Sequence, residues 1–370
     1  MSKPIAPPSD VSREPPVIPV AFCSDPGYIP QLAAALVSLF KSNWRNRLEV
    51  HVVTSGLSAE NRFRLERLAT TYGRTLCLHD LDITPLQGLA EYVQPKSTYY
   101  RLLLPRLLQS VPRLIYLDCD LVVEIDLAEL WNTPQQGKLV LGVAERDALQ
   151  PGLQAHVGTP GDAYINAGVL VMDLQAWRNE SVAEKCLAWL AANPTVATMM
   201  DQDAINHICV GRKGYVPLKW NLNPIHGPAR VTLKDFPERV LHFAGPLKPW
   251  HEWYCQDLAE IFYSYLKETA SNYVLEPEPA TKMGQHLSAA NQHWERGHFV
   301  KAARHYMTMA YLLTQDAKDR PHLETYCLGL GNQAMNRGEH EQACGHYRAL
   351  AAHWGLPIAH TDIYQIPYIR

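Results

Sequence analysis

Nothing in the 370 residues of this chain approaches the ~18 consecutive apolar positions that a membrane-spanning helix needs. The first residues (MSKPIAPPSDVSREPP) also lack the apolar core of a secretory signal, so the expected location is the cytoplasm, extending to a peripheral position at the inner face of the membrane. There is no surplus of positive charge: 34 Lys and Arg stand against 37 Asp and Glu, a net charge of −3, which removes nucleic acid as the main partner. The eight cysteines (positions 23, 77, 119, 186, 209, 255, 327 and 344) have no C-x-x-C spacing and read as reduced thiols of a cytosolic protein rather than a disulfide framework.

What is present is apolar content of 47%, enough for a large core and a second domain. Residues 1–16 are expected to be extended or disordered, because six prolines fall within the first nineteen positions. From Val17 the patterns alternate: strand over Val17–Cys23, helix over Tyr28–Asn43, strand over Leu48–Thr54, helix over Ser58–Tyr72 with Ser58 as N-cap, strand over Leu76–Leu81. Such alternation predicts an α/β fold with a mostly parallel sheet and helices on both faces, over residues 17–270. Residues 271–283, which include the proline-bearing Leu275–Met283 stretch, read as a linker, 284–356 as a small all-α region and 357–370 as a tail. The helical region and tail hold nine of the sixteen histidines. Within it, Gly297-x-Phe299-x-x-Ala302 with Tyr306 and Gly338-x-His340-x-x-Ala343 with Tyr347 repeat with a period of 41, resembling a tetratricopeptide-like helix-turn-helix. Two repeats fall short of a stable solenoid, so this region is expected to pack on the larger domain, to form a homodimer or to hold a protein partner.

Asp118-Cys119-Asp120 carries the chemistry. An apolar run, Leu114–Leu117, reads as a buried strand, a helical signal follows at Ile125–Trp131, and in an open α/β sheet ligands bind beyond the carboxyl ends of the strands. Two acids at i and i+2 of an extended segment point the same way, and they repel each other unless a cation lies between them. The occupant expected on those grounds is Mg²⁺ or Mn²⁺ carrying a diphosphate.

Further segments surround that pair: Ala21–Asp25, Ser97–Leu102, Tyr164–Leu170 with Asp173 and Trp177-Arg178, Asp201–Asn206, and His242–His251. With the acid pair they resemble glycosyltransferase family 8, the group of bacterial lipopolysaccharide galactosyl- and glucosyltransferases and of glycogenin, over about residues 17–265. The resemblance implies a single Rossmann-like domain of the A-type glycosyltransferase fold. It also implies retaining transfer of glucose or galactose from a UDP-sugar to a glycan, a lipid-linked glycan or a protein.

Residue by residue, the resemblance implies that Asp118, Asp120 and His242 ligate the metal, and two carboxylates with an imidazole suit Mn²⁺ better than Mg²⁺. Cys23, Asp25, Tyr28, Arg101, Cys119, Gly245 and Lys248 are expected at the nucleotide and diphosphate, although Pro26-Gly27 replaces the family's usual acid–asparagine pair after Asp25. Asn166, Ala167 and Asp201 are expected at the donor sugar, and Gln202 and Asp203 at the reacting centre. There an amide is a poor nucleophile, so front-face attack assisted by Gln202, with Asp203 structural or electrostatic, is preferred to a covalent intermediate. His226 and Trp250 are expected on the acceptor side, with Trp220-Asn221 and His251–Tyr254. Members of the lipopolysaccharide type carry a basic C-terminal anchor, whereas Ala280–Arg370 holds 9 Lys and Arg against 7 Asp and Glu, which favours a protein contact over membrane docking. The competing expectation is a catalytically silent UDP-sugar-binding scaffold acting through its helical region.

Overall fold

The computed structural model describes residues 16–89, 96–145, 150–197, 199–223, 233–244, 248–250, 256–269, 273, 275, 290–291, 302, 306, 334 and 339–353. The expectations for residues 1–15, most of the linker, residues 354–370, His226, Gly245 and His251–Tyr254 lie outside them.

Nine strands are described: β1 (Val17–Ser24), β2 (Arg47–Thr54), β3 (Leu76–Asp80), β4 (Leu114–Leu117), β5 (Leu121–Glu124), β6 (Val140–Ala144), β7 (Ile165–Met172), β8 (Lys213–Tyr215) and β9 (Arg239–His242). The helices are α1 (Ile29–Ser42), α2 (Ala59–Thr71), α3 (Tyr100–Leu107), α4 (Ala128–Trp131), α5 (Gln150–His156), α6 (Leu174–Asn179), α7 (Val182–Ala192), α8 (Asp201–Ile208), α9 (Gln256–Lys267) and α10 (His340–His353). Ser58 caps α2 as expected, its side chain accepting from Asn61 N.

Seven strands form one sheet in the order β3-β2-β1-β4-β7-β6-β8. Pairing is parallel from β3 to β4 and between β6 and β8, while β7 runs antiparallel to both neighbours. One apolar layer joins α1 and α2 to Val20, Phe22, Val50 and Val52. A second joins α3, α6, α7 and α8 to Ala21, Val53, Tyr116 and Met172 on the other face. This is the α/β fold anticipated from the alternation, and β1 is buried along nearly its whole length because both of its faces are covered. The described residues at 290–291, 302, 306, 334 and 340–353 are helical. Ala290, Ala302, Tyr306, Ala334, Ala343, Cys344 and Tyr347 belong to the same hydrophobic cluster as α1 and α2. No helix among the described residues is long and apolar enough to cross a membrane.

Among the elements that sequence pattern did not anticipate, β5 matters most for the site. The helix after the acid pair spans only Ala128–Trp131, and β5 intervenes, pairing among the described strands with β9 alone, antiparallel. The other side of β5 is satisfied by polar side chains of α1 rather than by a strand. Val123 N donates to Ser38 Oγ at 2.8 Å, Ser42 Oγ donates to Val123 O at 2.9 Å, and Asn43 Nδ2 donates to Ile125 O at 3.1 Å. Ser38→Ala leaves a buried amide without an acceptor, and a loss of about 1–3 kcal/mol is expected in urea unfolding.

Candidate active site

The antiparallel course of β7 sets the site. The carboxyl ends of β1, β4, β6 and β8 lie at one end of the sheet, and so does the beginning of β7. Asp118 after β4, Glu145 after β6 and Asn166–Gly168 at the start of β7 therefore meet there. β5 and β9 add the remaining pieces: Leu121 faces His242 across their ladder, and Phe243 N donates to Asp120 O at 2.9 Å.

Asp118, Asp120 and His242 offer ligand atoms all within 4.8 Å of one another. The proton on His242 can be traced from a backbone amide. Gly168 N donates to Asn166 Oδ1 at 2.9 Å, which identifies that atom as the oxygen, and Asn166 Nδ2 donates to Glu145 Oε1 at 2.8 Å. Asn221 Nδ2 donates to the same Asn166 oxygen at 2.8 Å, so the Asn221 oxygen faces His242 Nδ1, also at 2.8 Å. Nδ1 thus carries the hydrogen, and the lone pair of Nε2 points toward Asp120 Oδ1 at 3.3 Å and Asp118 Oδ2 at 3.7 Å. Three electron-rich atoms converge with no hydrogen between them, an arrangement that fits a divalent cation. Lys248 caps the far side: its ammonium touches Asp120 Oδ2 and donates to Phe243 O at 2.9 Å. Burial would raise the Asp120 carboxyl, yet the Lys248 ammonium against it outweighs that and holds Asp120 well below the usual carboxylate range.

Arg101, 4% exposed, ties this cluster to the rest. It meets Asp118 Oδ1 at 3.1 Å through Nη2 and Asp201 Oδ2 at 2.8 Å through Nε, donates to Thr98 O and Ala167 O, and lies 4.5 Å over the Tyr116 ring. Tyr116 donates its hydroxyl to Asp118 Oδ1 at 2.6 Å. At the start of α8, Met200 turns the chain at φ 54°, ψ −124° and brings Asp201, Gln202 and Asp203 into the first turn. Gln202 Oε1 accepts from Ala167 N at 2.9 Å. Asp203 is fully buried, accepting from Tyr164 OH at 2.6 Å and Met199 N at 2.8 Å.

The structure thus brings together Asp118, Asp120, His242, Lys248, Arg101, Asn166, Ala167, Asp201 and Gln202. Asp25 lies beyond β1, where Oδ1 accepts from Gly27 N at 2.7 Å and Oδ2 from Ser97 Oγ at 3.3 Å, so the turn and the side-chain contact coexist. Cys23 and Cys119 are buried, with Cys119 Sγ donating to Cys23 O at 3.3 Å, so their side chains face the interior. Trp250 is a core residue, 2% exposed, its ring edge-on to Tyr28 at 5.7 Å and beside Phe262 at 5.1 Å. Trp220 is likewise core, and Asn221, expected to line the acceptor side, instead orients the imidazole. Sequence reasoning gave no role to Tyr116 or Glu145. Tyr116 carries a usable signal, standing two residues before Asp118 and hence on the same face of the strand, whereas Glu145 depends on the β6–β7 neighbourhood.

A family model for glycosyl transferase family 8 matches residues 19–254. The chain belongs to glycosyl transferase family 8. Its similar proteins include a putative glycosyltransferase of Haemophilus influenzae, 26% identical over 63% of this chain and 73% of the relative. A lipopolysaccharide 1,3-galactosyltransferase of Salmonella typhimurium is 23% identical over 78% of this chain and 89% of the relative. A lipopolysaccharide 1,2-glucosyltransferase of Escherichia coli is 25% identical, covering 63% and 73%. Among solved structures, the galactosyltransferase LgtC in complex with donor and acceptor sugar analogs superposes with a TM-score of 0.58 at 25% identity, covering 67% of this chain and 96% of that one.

Two outcomes follow from this family 8 site. Gly168 lies against the His242 ring, and a Cβ there would sit 2.7 Å from Nδ1 and 2.9 Å from Nε2. Gly168→Ala is therefore expected to displace the imidazole and to weaken, at least about tenfold by titration calorimetry, any divalent-cation binding that wild type shows, the fold being retained in circular dichroism. Burial lifts the Asp201 carboxyl from 3.8 to about 7, against the pull of Arg101. The folded chain therefore holds a proton that the unfolded chain has released between those values, and the contribution of Asp201 to stability falls as pH rises through them. Asp201→Asn removes that dependence, so the unfolding free energy of the variant should gain on that of wild type as pH rises across the window.

Proposed function

We propose that this chain is a metal-dependent retaining hexosyltransferase that moves glucose or galactose from a UDP-sugar to a hydroxyl of a glycan acceptor, lipopolysaccharide first among them. The observation that carries this reading is the convergence of the His242 Nε2 lone pair on Asp118 and Asp120 at the strand ends of a family 8 fold. The names of the relatives, lipopolysaccharide galactosyl- and glucosyltransferases, support the donor and acceptor classes.

Asp118, Asp120 and His242 would hold Mn²⁺ in preference to Mg²⁺, since imidazole is a poor partner for the harder ion. When bound, the cation supplies Lewis acidity toward the departing diphosphate. Lys248, already at Asp120, is placed to exchange that carboxylate for a phosphate oxygen and to neutralise charge as UDP leaves. Arg101 acts mainly by fixing Asp118 and Asp201, because its guanidinium is already engaged by two carboxylates and two carbonyls. Gln202, oriented by Ala167 N, offers its amide to the oxocarbenium face of the sugar. Asp203 is buried with both oxygens engaged, which supports a structural role and disfavours it as a nucleophile. In the front-face sequence the acceptor oxygen forms its bond to the anomeric carbon on the side from which UDP departs, and its proton passes to the leaving phosphate oxygen.

We also read the C-terminal helices as a two-repeat unit packed on the catalytic domain. The repeat-equivalent pairs Ala302 and Ala343, and Tyr306 and Tyr347, are all fully buried.

The deciding experiment is UDP release from a panel of UDP-sugars, with Mn²⁺ or with chelator. Release from one hexose donor is expected, lost on chelation and in Asp120→Ala, and reduced about 10²-fold or more in Gln202→Ala. UDP binding without release from any sugar, even with lipopolysaccharide core added, would favour the silent scaffold.

A further inference from the structure

Away from the active site, at the outer edge of the sheet, β2 and β3 present a second group of ligand-type side chains. On one face Leu48, Val50, Val52, Leu76 and Leu78 pack into or against the α1–α2 layer. The opposite face carries Glu49 and His51 on β2 and Cys77 and His79 on β3, with His51 directly opposite Cys77 in the parallel ladder. Ligand atoms of Glu49, His51 and Cys77 lie within 4.8 Å of one another. His51 is 4% exposed, and its Nε2 makes no hydrogen bond although Glu49 Oε1 stands 3.3 Å away. Its Nδ1 meets His79 Nε2 at 3.0 Å. With His79 as acceptor, Nδ1 carries the hydrogen and the orphaned Nε2 presents a lone pair to Glu49 and Cys77.

We propose that Glu49, His51 and Cys77 form a second metal site, for Zn²⁺, with His79 as the outer partner that fixes the His51 tautomer and with one coordination position open. Thiolate, imidazole and carboxylate are the three donor types that zinc accepts together, and the thiolate argues against Mg²⁺ or Ca²⁺. Tetrahedral zinc separates its ligand atoms by about 3.3–3.8 Å. The Glu49–His51 spacing of 3.3 Å already meets that, and the exposed Cys77 has room to close the remainder. Coordination breaks the Cys77 S–H bond, forms the metal–sulfur bond and releases the proton to solvent. The bound ion would clip the edge strand β3 to β2.

Titration of the metal-free full chain with Co²⁺, followed by absorption, tests the proposal. A thiolate-to-cobalt charge-transfer band is expected in wild type and in Asp120→Asn, displaced by Zn²⁺, absent in Cys77→Ser, and shifted to at least about tenfold higher cobalt in Glu49→Gln. No band in wild type, or a band that survives Cys77→Ser, overturns it. Loss of the band in Asp120→Asn also overturns it, by assigning the ion to the active site. Circular dichroism should show Cys77→Ser and Glu49→Gln folded, since both side chains are substantially exposed.

Discussion

The buried Arg101 is the constraint on which the site rests. Asp118 and Asp201 come from different parts of the chain, and their charges would repel each other at the end of the sheet without the guanidinium between them. A planar, permanently charged fork can serve both and still reach the carbonyls of Thr98 and Ala167, which a lysine ammonium cannot do with the same geometry. Because those partners lie beside α3, β4, β7 and α8, one side chain fixes the spacing of four elements. The desolvation is only partly offset: Asp201 Oδ2 accepts no hydrogen bond, and burial lifts that carboxyl despite Arg101.

A second polar chain runs from Gly168 N through Asn166 and Asn221 to His242. Its members are small amides that work only in series: each fixes the orientation of the next, and the anchor is a backbone amide that cannot flip. This explains why Asn166, matched to a sugar contact by resemblance, has its polar atoms directed toward protein partners here. It also explains why Asn221 belongs with the histidine.

Much of the fold was legible because its signals are local. The apolar run Leu114–Leu117, the Ser58 cap and the alternation from Val17 to Asp80 need no knowledge of distant residues. The acid pair was legible from its place just past an apolar strand, although the chain bends at Cys119 and Asp120 rather than staying extended. What escaped was non-local. β5 is four residues long and its satisfaction comes from Ser38, Ser42 and Asn43, which read in sequence as ordinary helix positions. Glu145 and Asn221 acquire their roles only through strand neighbours, and Trp250 looked like a sugar platform until its burial between Tyr28 and Phe262 was seen.

The β5–β9 pairing has a consequence for how the molecule comes into being. Asp120 and the Lys248 that neutralises it are 128 residues apart, and the ladder that joins them cannot form until β9 has arrived. On a ribosome the first part of the sheet can collapse with Arg101 already at Asp118, while Asp120 still lacks Lys248. The grouping of Asp118, Asp120 and His242 is thus a property of the finished domain, because His242 ends the strand that arrives last.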